Sequence, residues 1–184
     1  MRTIIVAGSA PSVREDVEDA RKLRRDAPIL AVNHAIRALP EADYCFCGHI
    51  EMVQWREFAG EARPLIARRP GPNEQKTTGP ISNYPEIDEW VDTPATSAGS
   101  GINAALAAKV YGFEEIILAG IGLDWTEGYV DGMVADRFFP SVQRSMATKR
   151  HQAGLRAAVE KGIDFSGIVS MRGYTREVFG APVK

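Results

Sequence analysis

Long hydrophobic runs, cysteine and an excess of charge of one sign are all scarce in this sequence, and each scarcity excludes a class of protein. No apolar run approaches the roughly 20 residues of a membrane-spanning helix, so we expect no membrane span. The N-terminal run Ile4–Ala7 is too short for the core of a signal peptide, which favours a cytoplasmic protein. With a formal net charge of −2, the chain has no general basic field that would attract nucleic acid.

The two cysteines, Cys45 and Cys47, lie two residues apart on a predicted strand. Same-face neighbours on a strand are about 6.6 Å apart, which strains a disulfide, so we predict two buried thiols that pack as small hydrophobic side chains. His49 extends the pattern to Cys-x-Cys-x-His, but three ligands on one extended strand do not converge on a tetrahedral zinc ion without a bend. We therefore predict no metal site.

Predicted strands and helices alternate along the chain. Strands are expected at residues 3–7, 29–32, 44–47, 65–67 and 116–119 and within 163–170. Helices are expected from Ser12 to about Arg25 and at residues 50–58, 102–111 and 142–161, with a loop over 68–84 and a short helix near 85–91. This alternation predicts one α/β domain over residues 1–184, with a Rossmann-like, doubly wound, mainly parallel sheet and helices on both faces.

Ligands of such sheets bind beyond the carboxyl ends of the strands, where two helix starts stand out. The turn Gly8–Ser12 leads into the apparent capping box Ser12–Glu15, and the N–H groups of a helix start suit a phosphate. The turn is not GxGxxG, so a dinucleotide cofactor is less favoured; a plain strand-to-helix turn also explains it. In the second start, Thr96–Gly101, Gly99 and Gly101 indicate close approach of a ligand or of a neighbouring strand.

Two segments in this order resemble a family of bacterial sialyltransferases that use CMP-sialic acid. The run VAGSAPSV at Val6–Val13 is similar to the family's GNGPSL opening. TSAG at Thr96–Gly99, the alanine-rich helix that ends at Gly112 and EEIILAGI at Glu114–Ile121 are similar to its TSG…AlalGykEIyLsGiDf block. Related folds include an archaeal-type pterin diphosphokinase and small uncharacterised proteins, some of them encoded by phages.

The resemblance implies glycosyl transfer from a CMP-like nucleotide sugar, without a metal and with no cofactor beyond the donor's nucleotide. Position at the sheet rim makes His34 and His49 candidate substrate-binding residues. The residues expected to bind the nucleotide are Gly8, Ser9, Ala10, Pro11, Ser12, Asn33, Thr96, Ser97, Ala98, Gly99, Gly120, Asp124 and Trp125.

The expected catalytic residues are His151 and Tyr129. In the family, two aromatic hydroxyls stabilise the leaving phosphate. Trp125 and Tyr129 stand in that neighbourhood here, so only Tyr129 could donate an O–H. A lid-like excursion over residues 125–150 follows, and His151 falls at the place of the family's general base, a role that suits an unperturbed imidazole pKa near 6.5. On its helix His151 also shares a stripe with Leu155, which is typical of a half-buried structural histidine.

Two other functions stay open. A diphosphokinase-like enzyme would need Mg²⁺ to bridge nucleotide phosphates, and carboxylates occur in the right segment at Asp124, Glu127, Asp131 and Asp136. A non-catalytic nucleotide-binding or accessory protein is the third candidate, because only one of the two aromatic hydroxyls is present. The apolar run 138–140 suggests either a lid over the site or a contact in a homo-oligomer.

Overall fold

Seven parallel strands form one sheet in the computed structural model, which describes residues 1–48, 54–94, 96–124 and 141–183. The strands are β1 (Thr3–Ala7), β2 (Ile29–Val32), β3 (Tyr44–Cys47), β4 (Leu65–Arg68), β5 (Glu89–Val91), β6 (Glu115–Ala119) and β7 (Ile168–Ser170). Their order in the sheet is β5-β4-β3-β2-β1-β6-β7, and every neighbouring pair is parallel. The chain adds β2 to β5 on one side of β1 and then crosses to add β6 and β7 on the other side. The strand order therefore reverses between β1 and β6, which we call the reversal point.

The helices connect these strands and cover both faces of the sheet, which confirms the predicted α/β fold class. They are α1 (Val13–Leu23), α2 (Ala35–Ala38), α3 (Gln54–Ala59), α4 (Pro72–Thr78), α5 (Ser100–Val110), α6 (Ser141–Glu160) and α7 (Gly173–Phe179), with a 3-10 turn at Ile81–Asn83. No helix within the described ranges has the length and apolar character that crossing a membrane requires.

Alternate side chains of the central strands supply two hydrophobic cores. Ile5 and Ala7 of β1 face the core under α1, where Val13 and Val17 are buried at helical spacing. Ile4 and Val6 face the opposite core, formed with α5 and with Leu155 of α6. Alanines dominate the buried surface of α5, so this helix packs close to β1, β2 and β6 and its first residues reach the reversal point between β1 and β6.

The region between β4 and α5 differs from its prediction. Residues 68–84 were expected to lack secondary structure, but α4 and a 3-10 turn form there, with Pro72 in the first turn of α4 and the side chain of Glu74 accepting the N–H of Gly71 at 2.7 Å. The short helix expected near 85–91 is wrong, because Glu89–Val91 pairs with β4 as an edge strand. A three-residue strand has too little pattern to be recognised before its partner is known.

Three smaller differences concern the helices. Ser12 does not form the expected capping box: its backbone is helical, with φ −76° and ψ −3°, and its hydroxyl bonds Asp16 Oδ2 at 3.1 Å instead. Helices α2 and α7 were not predicted, since each is too short for a clear hydrophobic period. Helix α6 begins at Ser141, so the expected excursion over 125–150 is helical from that residue onward, and residues 125–140 lie outside the described residues.

The two cysteines are buried thiols, as predicted. Neither Cys45 nor Cys47 forms a disulfide, and both are on β3 in the core between the sheet and α1. Burial raises the pKa of the Cys45 thiol to about 11, with only partial opposition from the charge of Arg63. The thiol is therefore protonated and unreactive at neutral pH. No cluster of metal-ligating side chains occurs in the part of the chain that the structure describes.

Candidate functional site

A solvent-open cleft of about 160 Å³ lies at the carboxyl ends of the strands, where the sheet order reverses between β1 and β6. This is the position at which doubly wound sheets bind ligands. Its described lining comes from the ends of β1, β2 and β6, from the start of α5 and from α6. The lining residues are Gly8, Ser9, Ala10, Val32, Asn33, Ala98, Gly99, Ser100, Gly101, Gly120, Ile121, Gly122, Leu123, Asp124, Thr148 and His151.

The turn between β1 and α1 is bound tightly to the end of β6. Gly8 N–H donates to Ala119 O at 2.8 Å, and Ala10 N–H donates to Gly120 O at 3.3 Å. A Cβ on Gly8 would lie 2.5 Å from the carbonyl oxygen of Gly120, so the glycine is needed for contact with the neighbouring strand end. The backbone N–H groups of Gly8 and Ala10 are thus already used within the protein. Of the residues in this turn, Gly8, Ser9 and Ala10 line the cleft.

The segment after β6 forms the floor of the cleft, and its carbonyl groups are satisfied by the surrounding protein. Ile121 O accepts the Thr175 hydroxyl at 2.6 Å, and Gly122 O accepts Thr175 N–H at 3.2 Å. Leu123, which has a left-handed φ of 51°, accepts the Gln152 side-chain amide at 2.8 Å. Gln152 of α6 and Thr175 of α7, neither of which lines the cleft, therefore hold this segment in place.

The start of α5 enters the cleft from the opposite side. Gly99 has a φ of 96°, a conformation that favours glycine, and Ser100 and Gly101 follow as the first helical residues. The first turn of α5 contains no acidic residue, and the opening N–H groups of a helix have no acceptor within it. Because the helix dipole is positive at this end, the cleft receives a donor-rich, weakly positive wall.

Thr96 supports this helix start from behind the cleft. Its hydroxyl bonds Asn103 Oδ1 at 2.9 Å and accepts the N–H of Ala98 at 3.3 Å. Helix α6 then packs directly on the same loop, since a Cβ on Gly154 would lie 2.5 Å from the carbonyl carbon of Ser97. Thr96 and Ser97 thus fix the loop that leads into α5, and neither lines the cleft.

His151 and Thr148 bring one face of α6 to the cleft. They are three residues apart, so they share a helix face. A Cβ on Gly99 would be 3.5 Å from the Cε1 and Nδ1 atoms of His151, so the imidazole lies against the backbone at the start of α5. The half-buried histidine and the donor-rich helix end therefore face one space.

Asn33 and Gly48 join the ends of β2 and β3 at the cleft margin. Asn33 has a left-handed φ of 52°, and its side-chain oxygen accepts Gly48 N–H at 2.8 Å. That bond fixes the amide orientation, so its NH2 group stays available as a donor. A Cβ on Gly48 would lie 2.0 Å from the hydroxyl of Ser100, so the strand ends and α5 are in close contact here.

The polar groups of the described lining are mostly backbone groups and neutral side chains. Asp124 is exposed and is the one carboxylate among the described lining residues, which include no lysine or arginine. Both of its carboxylate oxygens lie beside glycines: a Cβ on Gly122 would be 2.1 Å from Oδ1, and one on Gly173 would be 2.7 Å from Oδ2. Among the described residues, an anion at the start of α5 would thus meet backbone dipoles and no lysine or arginine side chain.

The structure brings together some of the predicted site residues but not all of them. Outside the described lining are Pro11, Ser12, Thr96, Ser97 and His34, the last of which precedes α2 as its cap residue. His49, Trp125 and Tyr129 lie outside the described residues, so their roles stay predictions. Predicted residues that line the cleft are Gly8, Ser9, Ala10, Asn33, Ala98, Gly99, Gly120, Asp124 and His151.

Sequence reasoning missed several residues at and around the cleft. Ser100 and Gly101 belonged to the motif already noticed, and Thr148 lies one helical turn before His151, so the signal for these was present. Asp16 and Arg172 carried no such signal, because their contact joins residues 156 positions apart.

Comparison with known proteins finds few similarities. No family model matches the sequence, and none of the curated proteins matches it. Among solved structures, the chain is similar to the MAf glycosyltransferase from Magnetospirillum magneticum AMB-1, with 18% sequence identity and a TM-score of 0.45. The similarity covers 75% of this chain and 25% of that chain, so this chain spans about a quarter of that protein's length. So distant a likeness carries no argument about what this chain binds or does.

Proposed function

We propose that the cleft binds a nucleotide sugar and that the protein transfers the sugar to an acceptor hydroxyl, with His151 as the general base. The observation that carries this proposal is the contact of His151 with Gly99 at the start of α5. It puts a group able to accept a proton beside a helix end able to hold a phosphate. The resemblance of the two sequence motifs to CMP-sialic-acid-dependent enzymes supports a CMP-like donor.

In the proposed reaction the phosphate of the donor lies against the N–H groups of Ser100 and Gly101. The bond between the anomeric carbon and the phosphate oxygen breaks, and its electron pair leaves with the nucleotide. The acceptor oxygen forms the new bond to that carbon, and its proton passes to His151. The helix end stabilises the charge that develops on the leaving phosphate, a preorganised form of electrostatic stabilisation.

A ligand panel tests the binding half of the proposal. Thermal shift and calorimetry would compare CMP, a CMP-sugar, UDP-sugars and ATP, each with and without Mg²⁺. We expect CMP and the CMP-sugar to stabilise the protein without Mg²⁺, because binding to the folded state alone raises the melting temperature. Stabilisation by Mg-ATP alone would contradict the proposal, and no response to any nucleotide would remove nucleotide binding altogether.

The catalytic half is tested by replacing the histidine. His151→Ala should leave CMP affinity within about threefold and lower turnover of the donor by about 10²–10⁴-fold, the usual contribution of a general base. His34→Ala is the matched control, since it also removes a half-buried imidazole but lies outside the described lining of the cleft. Equal turnover in wild type and His151→Ala would exclude the proposed base.

Asp124 favours a second candidate, a diphosphokinase-like transfer of pyrophosphate from ATP. Its exposed carboxylate borders the same cleft, where it could help to hold a Mg²⁺ ion that bridges nucleotide phosphates. Asp124→Asn separates the candidates. It should abolish a Mg-dependent response to ATP if that activity exists, and should leave metal-free CMP binding largely intact.

A further inference from the structure

Asp16 is a carboxylate on the first turn of α1 that is only 1% exposed. A buried carboxylate is costly unless it is paired and hydrogen-bonded, and this one has partners from three parts of the chain. Its Oδ2 accepts Gly120 N–H at 2.8 Å and the Ser12 hydroxyl at 3.1 Å, and its Oδ1 accepts Nε of Arg172.

The bond to Gly120 connects Asp16 to the floor of the cleft. Gly120 has a left-handed φ of 62°, and a Cβ there would lie 2.7 Å from Cβ of Val13 and 3.1 Å from Gly8 O. Gly120 O meanwhile accepts the N–H of Ala10. Gly120 is thus held through both its N–H and its carbonyl group, so the direction of the chain leaving β6 depends on the acceptor that Asp16 provides.

The bond to Arg172 connects the same carboxylate to the C-terminal part of the chain. Arg172 also donates to Glu15 Oε2 at 3.0 Å. Partial burial opposes the charged guanidinium, but the hydrogen bonds and charges of Glu15 and Asp16 outweigh it and raise the pKa of Arg172. Arg172 immediately precedes α7, whose Thr175 binds the carbonyl groups of Ile121 and Gly122.

We infer that Asp16 is a positioning residue for the cleft, acting through Gly120 N–H and, by way of Arg172, through the α7 contacts with the segment after β6. Both routes end on the same five-residue floor, Gly120–Asp124. Asp16 lies outside the described lining and so acts on a ligand only through the backbone it positions. The effect on ligand affinity rests on the proposed function, whereas the effect on the floor does not.

The effect on the floor is measured without any ligand, by NMR of the backbone amides. A charge-assisted hydrogen bond moves an amide proton downfield, so Asp16→Ala should move Gly120 N–H upfield and shift Ile121 and Gly122 as well. Glu15→Gln is the matched control, because it removes the adjacent exposed carboxylate, which bonds Arg172 and not Gly120. It should leave the Gly120 amide where it is.

The effect on affinity uses CMP as the probe in calorimetry. Asp16→Ala leaves a buried N–H without an acceptor, and we expect its CMP affinity to fall about tenfold. Asp16→Asn can still accept that N–H through its side-chain oxygen, but its NH2 group then faces the guanidinium of Arg172, so it keeps only the first route and should recover part of the affinity. Arg172→Gln breaks only the second route and should have an intermediate effect, and it serves as the variant of choice if Asp16→Ala does not fold.

Two results would overturn the inference: unchanged Gly120, Ile121 and Gly122 amides in Asp16→Ala (or unchanged Ile121 and Gly122 amides in Arg172→Gln, where Asp16→Ala does not fold), or CMP affinity in Asp16→Ala equal to that of Glu15→Gln. If wild type binds no nucleotide, the proposed function fails, and the NMR measurement decides the positioning role alone. Shifts at Gly120, Ile121 and Gly122 would then support it, and their absence would refute it.

Discussion

The starts of α1 and α5 both reach the reversal point of the sheet, yet only α5 lines the cleft with its first helical residues, whereas α1 is preceded by a turn of which Gly8–Ala10 alone borders the cleft. The first turn of α1 contains Glu15 and Asp16, and its preceding turn donates N–H groups to the end of β6. The first turn of α5 has no acidic residue and lines the cleft at Ser100 and Gly101. The comparison teaches that two helix starts at one sheet edge can differ in whether the protein itself already supplies carboxylates to the first turn.

The largest expected effect comes from adding a negative charge at the start of α5, which lines the cleft. Ser100→Asp should lower CMP affinity on the order of 100-fold, because a carboxylate near a bound phosphate repels it by several kcal/mol at an effective dielectric constant of about 20. Calorimetry would measure this, and denaturant unfolding would show how far the added size beside Gly48 lowers the stability that a carboxylate at a helix start otherwise favours.

Ser100→Asn is the matched control for that charge. It has the size of the aspartate variant and so meets Gly48 in the same way, but it carries no charge. We expect it to bind CMP far better than Ser100→Asp does. Equal affinities in the two variants would mean that the phosphate does not lie at the start of α5.

Two glycine substitutions compare how tightly the two starts are packed. A Cβ on Gly8 meets the backbone oxygen of Gly120 at 2.5 Å, whereas one on Gly101 meets side-chain atoms of Ile121, at 2.8 Å, and no backbone. Gly8→Ala should therefore lower the free energy of unfolding by about 1–3 kcal/mol, and Gly101→Ala by less, since alanine also favours the helix. Urea unfolding measures both, and a larger loss for Gly101→Ala would contradict the comparison.

A negative charge at the start of α1 should have a smaller effect, and mainly on stability. Ser12→Asp puts a carboxylate where the serine hydroxyl now bonds Asp16, and repulsion should lower the free energy of unfolding by roughly 0.5–1 kcal/mol. CMP affinity should fall far less than in Ser100→Asp. Ser12→Asn separates the charge from the change in size, and a loss of CMP affinity in Ser12→Asp as large as that in Ser100→Asp would contradict the comparison.

The smallest effect concerns the far end of α1, where Arg24 pairs with Glu115 at the start of β6. Burial tends to raise the pKa of Glu115, but hydrogen bonds from Arg24 and Thr3 and the charge of Arg24 outweigh it and lower that pKa below 4.5. The pair therefore stabilises the fold at neutral pH, and this contribution is lost as the pH falls from 4.5 through the folded-state pKa.

Urea unfolding of wild type and Glu115→Gln between pH 7 and pH 3 measures that loss. The stability difference between the two proteins should shrink as the pH falls, because protonated Glu115 resembles glutamine. A constant difference over this range would mean that the charge of Glu115 does not stabilise the attachment of α1 to β6. Helix α5 has no such pair with β6 among the described residues, which sharpens the contrast between the two helices.

Much of the fold followed from local pattern, and particular residues show why. The apolar run of β1 and the alternation of strands with longer helices were enough to predict a parallel sheet with two covered faces. Strand β5 and helix α7 were missed because each is short and gains its stability from a neighbour, β4 in one case and β7 in the other. Local pattern fails where a segment is defined by what it packs against.

The candidate site was predictable in position more than in detail. Gly99, Gly120, Asp124 and His151 were named from the sequence and line one cleft. The choice between the two helix starts could not be made, because nothing local shows that Gly8 N–H is donated to Ala119. That bond exists only once β1 and β6 are adjacent.

The sequence by itself determined a doubly wound α/β fold and pointed to the edge at the ends of its strands, where the cleft lies, since hydrophobic period and helix punctuation are local properties. Only the tertiary structure decided which helix start faces the cleft, because that depends on whether a carboxylate such as Asp16 is already buried against the neighbouring strand end. A donor already used within the protein and one left for a ligand look alike along the chain, and they differ only in what the fold places opposite them.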